Sequence, residues 1–179
     1  MNMKEADAYA KHRNLKLAAA ELGINWQTLY CRLKKAGIPV TGDKARYGSA
    51  KDRLASFAER LFAEDVPQSI DANAAQFQAS VDFVCFGWMV DVKAAAPSDD
   101  GSRWGFCINK QKDKADFFVM YAFSDKDVRE VKHVLLMPRE IATAKSTISL
   151  PITMQSKWAD YEVSRNELKS FFDELGEKP

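Results

Sequence analysis

Cysteine and histidine are scarce in this chain of 179 residues. The three cysteines, Cys31, Cys85 and Cys107, lie far apart and never in CxxC spacing. Neither His12 nor His133 stands beside a cysteine. A structural zinc site needs four such ligands at short spacing, so no zinc site is expected. We interpret the cysteines as free, buried thiols in a reducing cytoplasm.

Long apolar runs are also missing. No stretch reaches the 18 apolar residues that suggest a membrane helix, and the N-terminus has no basic segment followed by an apolar one. We therefore expect a cytoplasmic protein, of a bacterium or a phage-infected host, with no membrane partner. Hydrophobic residues make up 46% of the chain, which is enough for a core. The length allows one medium domain, or a small module with a domain of average size.

The net charge of only +1 conceals an asymmetry. Residues 1–51 carry ten Lys/Arg against four Asp/Glu, a net charge of +6, whereas the remaining residues carry sixteen against twenty-one, a net charge of −5. A basic module attached to an acidic body indicates that the first segment meets a polyanion.

Two short helices are predicted in the basic segment. Apolar residues recur at helical spacing over residues 15–22 and again over residues 26–33. Gly23 lies between the two blocks and favours a left-handed helix end. Ile24 is expected to be a buried turn residue, and Asn25 is expected to cap the second helix with its side chain. Two helices joined by such a turn form a helix-turn-helix.

The string AAAELGINWQTLYCRLKKAGI resembles the Fis-type and related helix-turn-helix families, in which a small residue, here Ala19, stands four positions before the turn glycine. The resemblance implies that residues 25–35 form a recognition helix. Its early residues would reach base edges and its later cations would reach phosphates. The DNA-binding residues predicted here are Asn25, Gln27, Thr28, Arg32, Lys34 and Lys35, with Cys31 also facing solvent. The alternative is a helical hairpin that only packs on the body.

Domain boundaries follow from composition. Residues 1–40 are predicted to be the helix-turn-helix module, and residues 41–51, rich in glycine and polar residues, are predicted to be a linker. Lys44 and Arg46 in this linker are expected to follow the DNA backbone. Residues 52–179 would form the second domain, which begins with an amphipathic helix over residues 52–63.

A β-hairpin is predicted in the stretch SVDFVCFGWMVDVKAAAP. It is rich in β-branched and aromatic residues, and a two-residue turn at Phe86-Gly87 would pair Cys85 with Trp88. The same register places Asp82 opposite Asp91.

Three charged residues of this hairpin are predicted to share one face. Directly opposed carboxylates, here Asp82 and Asp91, would lie with Cβ atoms about 4.5–5.5 Å apart. Lys93 follows Asp91 by two residues and so faces the same side, whereas Val92 faces the other. Such burial carries a desolvation penalty, and a Mg²⁺ ion between the acids would remove their repulsion. The alternative is an edge hairpin with solvated Asp and Lys.

This pattern, an Asp on one strand followed by Asp-x-Lys on the next, resembles the PD-(D/E)xK nuclease superfamily, particularly its resolvase-like and homing-type members. Val81 precedes Asp82, at the position where the motif has proline. The resemblance implies a restriction-endonuclease-like α+β fold with an αβββαβ core and a mixed sheet. Matching segments are RWGFCINKQ as the third strand, ADFFVMYAFS as the fourth, KHVLLMPREI as a further strand, and ISLP and SKWADYEV after it.

The resemblance also implies roles for individual residues. Asp82 and Asp91 would be metal ligands with the Val92 carbonyl, and Lys93 would orient or deprotonate the attacking water or stabilise charge on the phosphate. Glu59 is the best match to an additional acid, with Asp52 and Glu64 as weaker alternatives. Two further polar residues, Lys110 and Gln111, would contact phosphate.

The function expected from these features is Mg²⁺-dependent hydrolysis of DNA phosphodiester bonds, with Mn²⁺ expected to substitute. A helix-turn-helix favours a sequence-directed endonuclease of phage or mobile-element type, acting on double-stranded DNA as a homodimer. Two alternatives stay open. One is an inactive DNA-binding regulator that uses the nuclease-like body for dimerisation, and the other is a structure-selective resolvase of Holliday-junction type.

A final helix is predicted at the C-terminus. Ser164 and Glu167 have the spacing of a capping box, and apolar residues follow at helical spacing. The helix is expected to pack on the body or to form part of a dimer contact.

Overall fold

The computed structural model describes residues 3–38, 40, 48–72, 80–109 and 114–179. The chain divides into two compact units, Met1–Ser49 and Ala50–Pro179. Within the described residues, none of the helices combines the length and apolar character that a membrane span requires.

The first unit contains three helices: α1 (Met3–His12), α2 (Leu15–Glu21) and α3 (Trp26–Lys35). Asn14 begins α2, where its side chain accepts the N–H groups of Lys16 and Leu17. The helices enclose a small core of Ala8, Tyr9, Ala18, Ala19, Leu29 and Leu33. The two predicted helices are present, whereas α1 was not predicted.

The turn between α2 and α3 has the expected backbone but not the expected cap. Gly23 has a φ of +65°, as a left-handed helix end requires, and Ile24 donates its N–H to the Ala19 carbonyl at 3.0 Å. Ile24 is only partly buried. The prediction that the Asn25 side chain caps α3 was wrong: Asn25 occupies the cap position, but its backbone carbonyl alone takes part, accepting Leu29 N–H at 3.1 Å.

The second unit begins with helix α4 (Ala50–Asp65), which starts two residues before the predicted position. Its main sheet has five strands: Ile70–Asp71 (β1), Phe83–Cys85 (β2), Trp88–Ala95 (β3), Phe117–Phe123 (β5) and Val131–Pro138 (β6). Their order in the sheet is β1-β2-β3-β5-β6. Strands β3 and β5 are parallel and the other neighbours are antiparallel, so the sheet is mixed and the predicted α+β class is confirmed.

A separate two-stranded antiparallel ribbon is formed by β4 (Arg103–Cys107) and β7 (Thr147–Pro151). The segment predicted as the third strand of the core therefore lies outside the main sheet, and β5 takes the place beside β3. The burial of the two strands gives the reason. In β4 buried and exposed residues alternate, so it has one apolar face, whereas six of the seven residues of β5 are buried, as a central strand requires.

Two apolar clusters lie on opposite faces of the main sheet. One contains residues of α4 and of the final helix α6 (Arg165–Leu175), including Phe62 and Phe172. The other contains the inner face of the ribbon and the short helix α5 (Arg139–Ala142). The capping box is confirmed: Glu167 N–H donates to Ser164 Oγ at 3.3 Å, and Ser164 N–H donates to Glu167 Oε2 at 2.6 Å.

The segment SKWADYEV, matched to the part that follows the later strand, forms a 3₁₀ turn (Ala159–Tyr161) with an isolated β-bridge at Glu162. One smaller expectation is corrected. All three cysteines are free, but only Cys85 is buried; Cys31 and Cys107 are exposed because each lies on the outer face of its helix or strand.

Candidate active site

The hairpin of β2 and β3 brings the predicted acids together. Its turn residues Phe86 and Gly87 have φ values of +48° and +84°, the left-handed pair of a type I′ turn, which joins antiparallel strands with two residues. The register pairs Cys85 with Trp88 as predicted. The paired register ends at Phe83 and Val90. Asp82 directly precedes β2 and lies outside the ladder, so the predicted backbone pairing of Asp82 with Asp91 is not formed.

Asp82 and Asp91 meet through their side chains. The two carboxyl groups are in hydrogen-bond contact, and Asp82 Oδ2 also accepts the Val92 backbone N–H at 2.8 Å. The backbone of Asp82 is tied to the neighbouring strand, since its N–H donates to the Val90 carbonyl at 3.1 Å. These contacts fix where both carboxyl groups point.

Lys93 completes the group. Its ammonium forms an ion pair with Asp91 Oδ2, and its side chain is 27% exposed. Asp91 itself is 7% exposed, and apart from this ion pair its Oδ2 accepts no well-aligned hydrogen bond. Val92, between them in sequence, packs into the apolar cluster on the opposite face. The predicted alternation along β3 is therefore present, and these acids are not the solvated edge residues of the alternative prediction.

The electrostatics follow from this burial. Removal from water raises the pKa of Asp91 to about 6; the nearby Asp82 adds to the rise, and the Lys93 cation opposes it. Burial likewise raises the pKa of Asp82, against the hydrogen bond from Val92. Two carboxyl groups with raised pKa values in contact hold their negative charge at a free-energy cost, which a cation at the site would reduce.

Glu59 is the third acid that acts on this group. It lies half-buried on α4, and its negative charge contributes to the raised pKa of Asp82. The alternatives Asp52 and Glu64 are exposed, and Glu64 acts electrostatically on Tyr121. Glu59 is thus a half-buried candidate acid whose charge acts on Asp82.

The donor set suits a hard divalent cation. Carboxylate and carbonyl oxygens are the ligands that Mg²⁺ prefers, and Asp82 and Asp91 supply the carboxylates. Across the described parts of the chain, no group of three or more His, Cys, Asp or Glu side chains is arranged to hold a metal ion. Any ion here would therefore rely on the carboxylate pair together with backbone, water or substrate oxygens.

The predicted recognition helix exposes the predicted residues. Gln27, Thr28, Cys31, Lys34 and Lys35 are exposed, as is Asn25 at its start. Arg32 is also exposed but donates from Nη1 to Glu5 Oε1 at 2.5 Å, and Glu5 is 8% exposed. This contact holds α3 to α1, so Arg32 has a structural partner that the sequence reasoning missed.

The spacing of α1 could have revealed that partner. Glu5, Ala8, Tyr9 and His12 fall at helical intervals in residues 3–12. A helix there places the Glu5 carboxylate on the side that faces the rest of the module.

Four predicted DNA-binding residues lie outside the described part of the chain: Lys44 and Arg46 of the predicted linker, and Lys110 and Gln111 after β4.

Comparison with solved structures relates this fold to that of an endonuclease. The chain resembles the solved structure of a bacterial homing endonuclease, I-Ssp6803I, with a TM-score of 0.51 and 14% sequence identity. The match covers 68% of this chain and 93% of that protein. No protein-family model matches the chain, and no curated protein matches it significantly. The likeness shows that the chain has a nuclease-like fold.

Proposed function

We propose that this protein is a metal-dependent DNA endonuclease. The observation that carries the proposal is the side-chain contact of Asp82, just before β2, with the buried Asp91, which is paired with Lys93 on the same face of β3. This group lies inside a fold resembling that of a homing endonuclease. Burying two acids in contact is unfavourable for the fold itself, so a chemical role is the better reason for their presence.

The chain supplies oxygen ligands for Mg²⁺, for which Mn²⁺ would substitute. Asp82, Asp91 and the Val92 carbonyl would hold the ion. In an extended strand the N–H and C=O of one residue point to the same neighbour, and the Val92 N–H points to Asp82. Once bound, the ion would lower the pKa of a coordinated water and neutralise charge on the phosphate.

Lys93 and Glu59 have supporting roles in this proposal. The Lys93 ammonium, now paired with Asp91, would turn to the attacking water or to a phosphate oxygen when DNA is bound. Glu59 would hold or orient a water near Asp82. Hydrolysis needs no covalent intermediate on the protein, and these residues offer no activated nucleophile.

Double-stranded DNA is the proposed substrate, and the first unit is the proposed targeting module. The exposed residues at the start of α3 would contact bases, while Lys34 and Lys35 would contact phosphates. A homodimer would place one catalytic site on each strand of the duplex.

The test is cleavage of supercoiled plasmid, phage DNA and a branched duplex by the full chain, with Mg²⁺, with Mn²⁺ and with EDTA. Asp82→Asn, Asp91→Asn and Lys93→Met should each reduce cleavage by about 10²-fold or more while DNA binding persists. Asp99→Asn, at an exposed position, is the matched control and should cleave normally.

The outcomes separate the functions considered. Metal-dependent cutting of plasmid or phage DNA, lost in the three variants, supports the proposal. Cutting by the variants at the wild-type rate contradicts it. Binding without cutting would favour the regulator, and cutting confined to the branched duplex would favour the resolvase.

A further inference from the structure

The ribbon of β4 and β7 has one apolar face and one small, polar face. Its inner residues, Trp104 and Phe106 on β4 and Ile148 and Leu150 on β7, are buried against the main sheet. The outer residues form three cross-strand pairs: Arg103 with Pro151, Gly105 with Ser149, and Cys107 with Thr147.

Among these six positions of the outer face none is a carboxylate, and Arg103 is the only charged residue. Two exposed charged residues flank the ribbon: Lys145 lies just before β7, and Asp100, whose charge acts on Arg103, lies in the turn before β4. Thr147 and Ser149 present hydroxyl groups. A face with this composition is complementary to a polyanion in charge and offers hydrogen-bond donors and acceptors.

The centre of the face is flat because Gly105 lies opposite Ser149. The fold does not need glycine there: the φ of Gly105 is not in the left-handed region, and a Cβ added to it would meet nothing within 4 Å. Glycine weakens a strand, and within one it often marks the close approach of a ligand or another backbone. Neither packing nor backbone geometry explains why glycine occupies position 105.

The ribbon also lies on the catalytic side of the main sheet. Its inner face shares an apolar cluster with Met89 and Ala95 of β3. By strand alternation, Asp91 and Lys93 project from this same face. A duplex held along the ribbon would therefore be on the side of the sheet that carries the proposed catalytic group.

Resting on the proposed endonuclease function, we propose that the outer face of the β4–β7 ribbon enters the major groove of duplex DNA. The B-form major groove admits a two-stranded β-ribbon. Gly105 lets the ribbon approach the base edges closely, Thr147 and Ser149 hydrogen-bond to them, and Arg103 contacts guanine or phosphate. The catalytic unit thereby contributes to sequence recognition in addition to the first unit.

The test uses the full chain with Ca²⁺ in place of Mg²⁺ and a random-sequence duplex library as the probe. Selection gives the preferred motif of wild type, and fluorescence anisotropy gives its Kd on the selected duplex. Gly105→Val fills the flat centre with a strong strand former, and Ser149→Glu adds a negative charge beside it. Ser170→Glu, at an exposed serine of α6, is the matched control.

We expect Gly105→Val to bind the selected duplex about tenfold or more weakly and to lose part of the motif. Its Tm should equal or exceed that of wild type, a result that a purely structural role for glycine would not give. Ser149→Glu should lose binding similarly, with Ser170→Glu close to wild type.

Two results would overturn the inference, and they are distinguishable. Wild-type affinity and motif in both ribbon variants, with wild type itself binding and cutting, would remove the ribbon from recognition and leave the endonuclease in place. No binding of any duplex by wild type, and no cutting of plasmid, would remove both.

Discussion

The side chain of Asp91 is 10% exposed in the face of a sheet, where its carboxyl group contacts Asp82 and pairs with Lys93. Its pKa of about 6 in the folded protein exceeds its ordinary value of 3.8 because burial disfavours the charged form. A raised carboxyl pKa contributes stability below the unfolded value, and that stability is lost as pH rises through the folded value.

Asp91→Asn therefore tests the electrostatics without any assay of activity. In EDTA the variant should be more stable than wild type at pH 7.5, by on the order of 2 kcal/mol, because it has no charge to bury. The advantage should shrink towards pH 4, where Asp91 of the wild type is protonated when folded. Urea unfolding at several pH values measures it; an advantage that does not change with pH would contradict the assignment.

The backbone of Phe86 adopts a strained, left-handed conformation. It has a φ of +48° in a type I′ turn, where asparagine followed by glycine is preferred. Phe86→Asn should raise the free energy of unfolding by about 0.5–1 kcal/mol, because asparagine adopts left-handed conformations more readily.

Gly87→Ala, at the next position of the same turn, should have the opposite effect on stability. Its φ is +84°, and an added Cβ would lie 3.2 Å from the Cβ of Lys178, so this change should lower Tm. Thermal unfolding gives the Tm of both variants. If the Phe86→Asn protein is less stable than wild type, the contacts of the aromatic ring stabilise the fold by more than the strained turn conformation costs.

At the scale of elements, one buried carboxylate joins α4, β5 and α6. Asp65 at the end of α4 accepts the Tyr121 hydroxyl at 2.8 Å and a two-point contact from Arg165, whose shortest distance is 2.6 Å. The Asp65 side chain is 7% exposed. Burial raises the pKa of Tyr121 and the Asp65 charge adds to the rise, while the hydrogen bonds to Asp65 raise the pKa of Arg165. The start of α6 is thus held to both other elements.

Arg165→Ala should cost about 2 kcal/mol, because it leaves a buried carboxylate with less compensation. Lys169→Ala, in the exposed pair with Asp173 one turn further along α6, should cost less than about 0.5 kcal/mol. Urea unfolding of the two variants gives the comparison. Equal losses would mean that Asp65 is already satisfied without the guanidinium.

At the scale of the whole molecule, charge separates the two units. Met1–Ser49 carries nine Lys/Arg against four Asp/Glu, a net charge of +5, and Ala50–Pro179 carries seventeen against twenty-one, a net charge of −4. If the first unit binds DNA, its cations release counterions, and each phosphate contact adds about 0.9 to the slope of log K against log salt.

Lys34→Gln together with Lys35→Gln should weaken duplex binding and lower that slope by about 2, since two phosphate contacts are removed. Anisotropy titrations at several salt concentrations measure both. Lys132→Gln combined with Lys157→Gln, at two exposed positions of the second unit, is the control for a general loss of charge. An unchanged slope in the α3 variant would show that this helix does not contact phosphates.

The amino-acid sequence alone determined the features that depend on interactions between residues close together in the chain. The Phe86-Gly87 turn set the hairpin register, and the period of a strand then put Asp91 and Lys93 on one side. The capping box at Ser164 fixed the start of α6 for the same reason: its hydrogen bonds join residues three apart. Helix α1 was equally predictable from its spacing and was missed.

Tertiary structure alone decided what depends on distant partners. The burial pattern of β5 suits a central strand, and the alternating pattern of β4 suits a ribbon with one exposed face. Which strands pair with each other, however, was decided by packing on both sides of the sheet. Likewise no spacing in the sequence relates Glu59 to Asp82 or Arg32 to Glu5, because those contacts arise only when separate elements meet. Charge burial, and with it the raised pKa of Asp91, exists only once the sheet has formed.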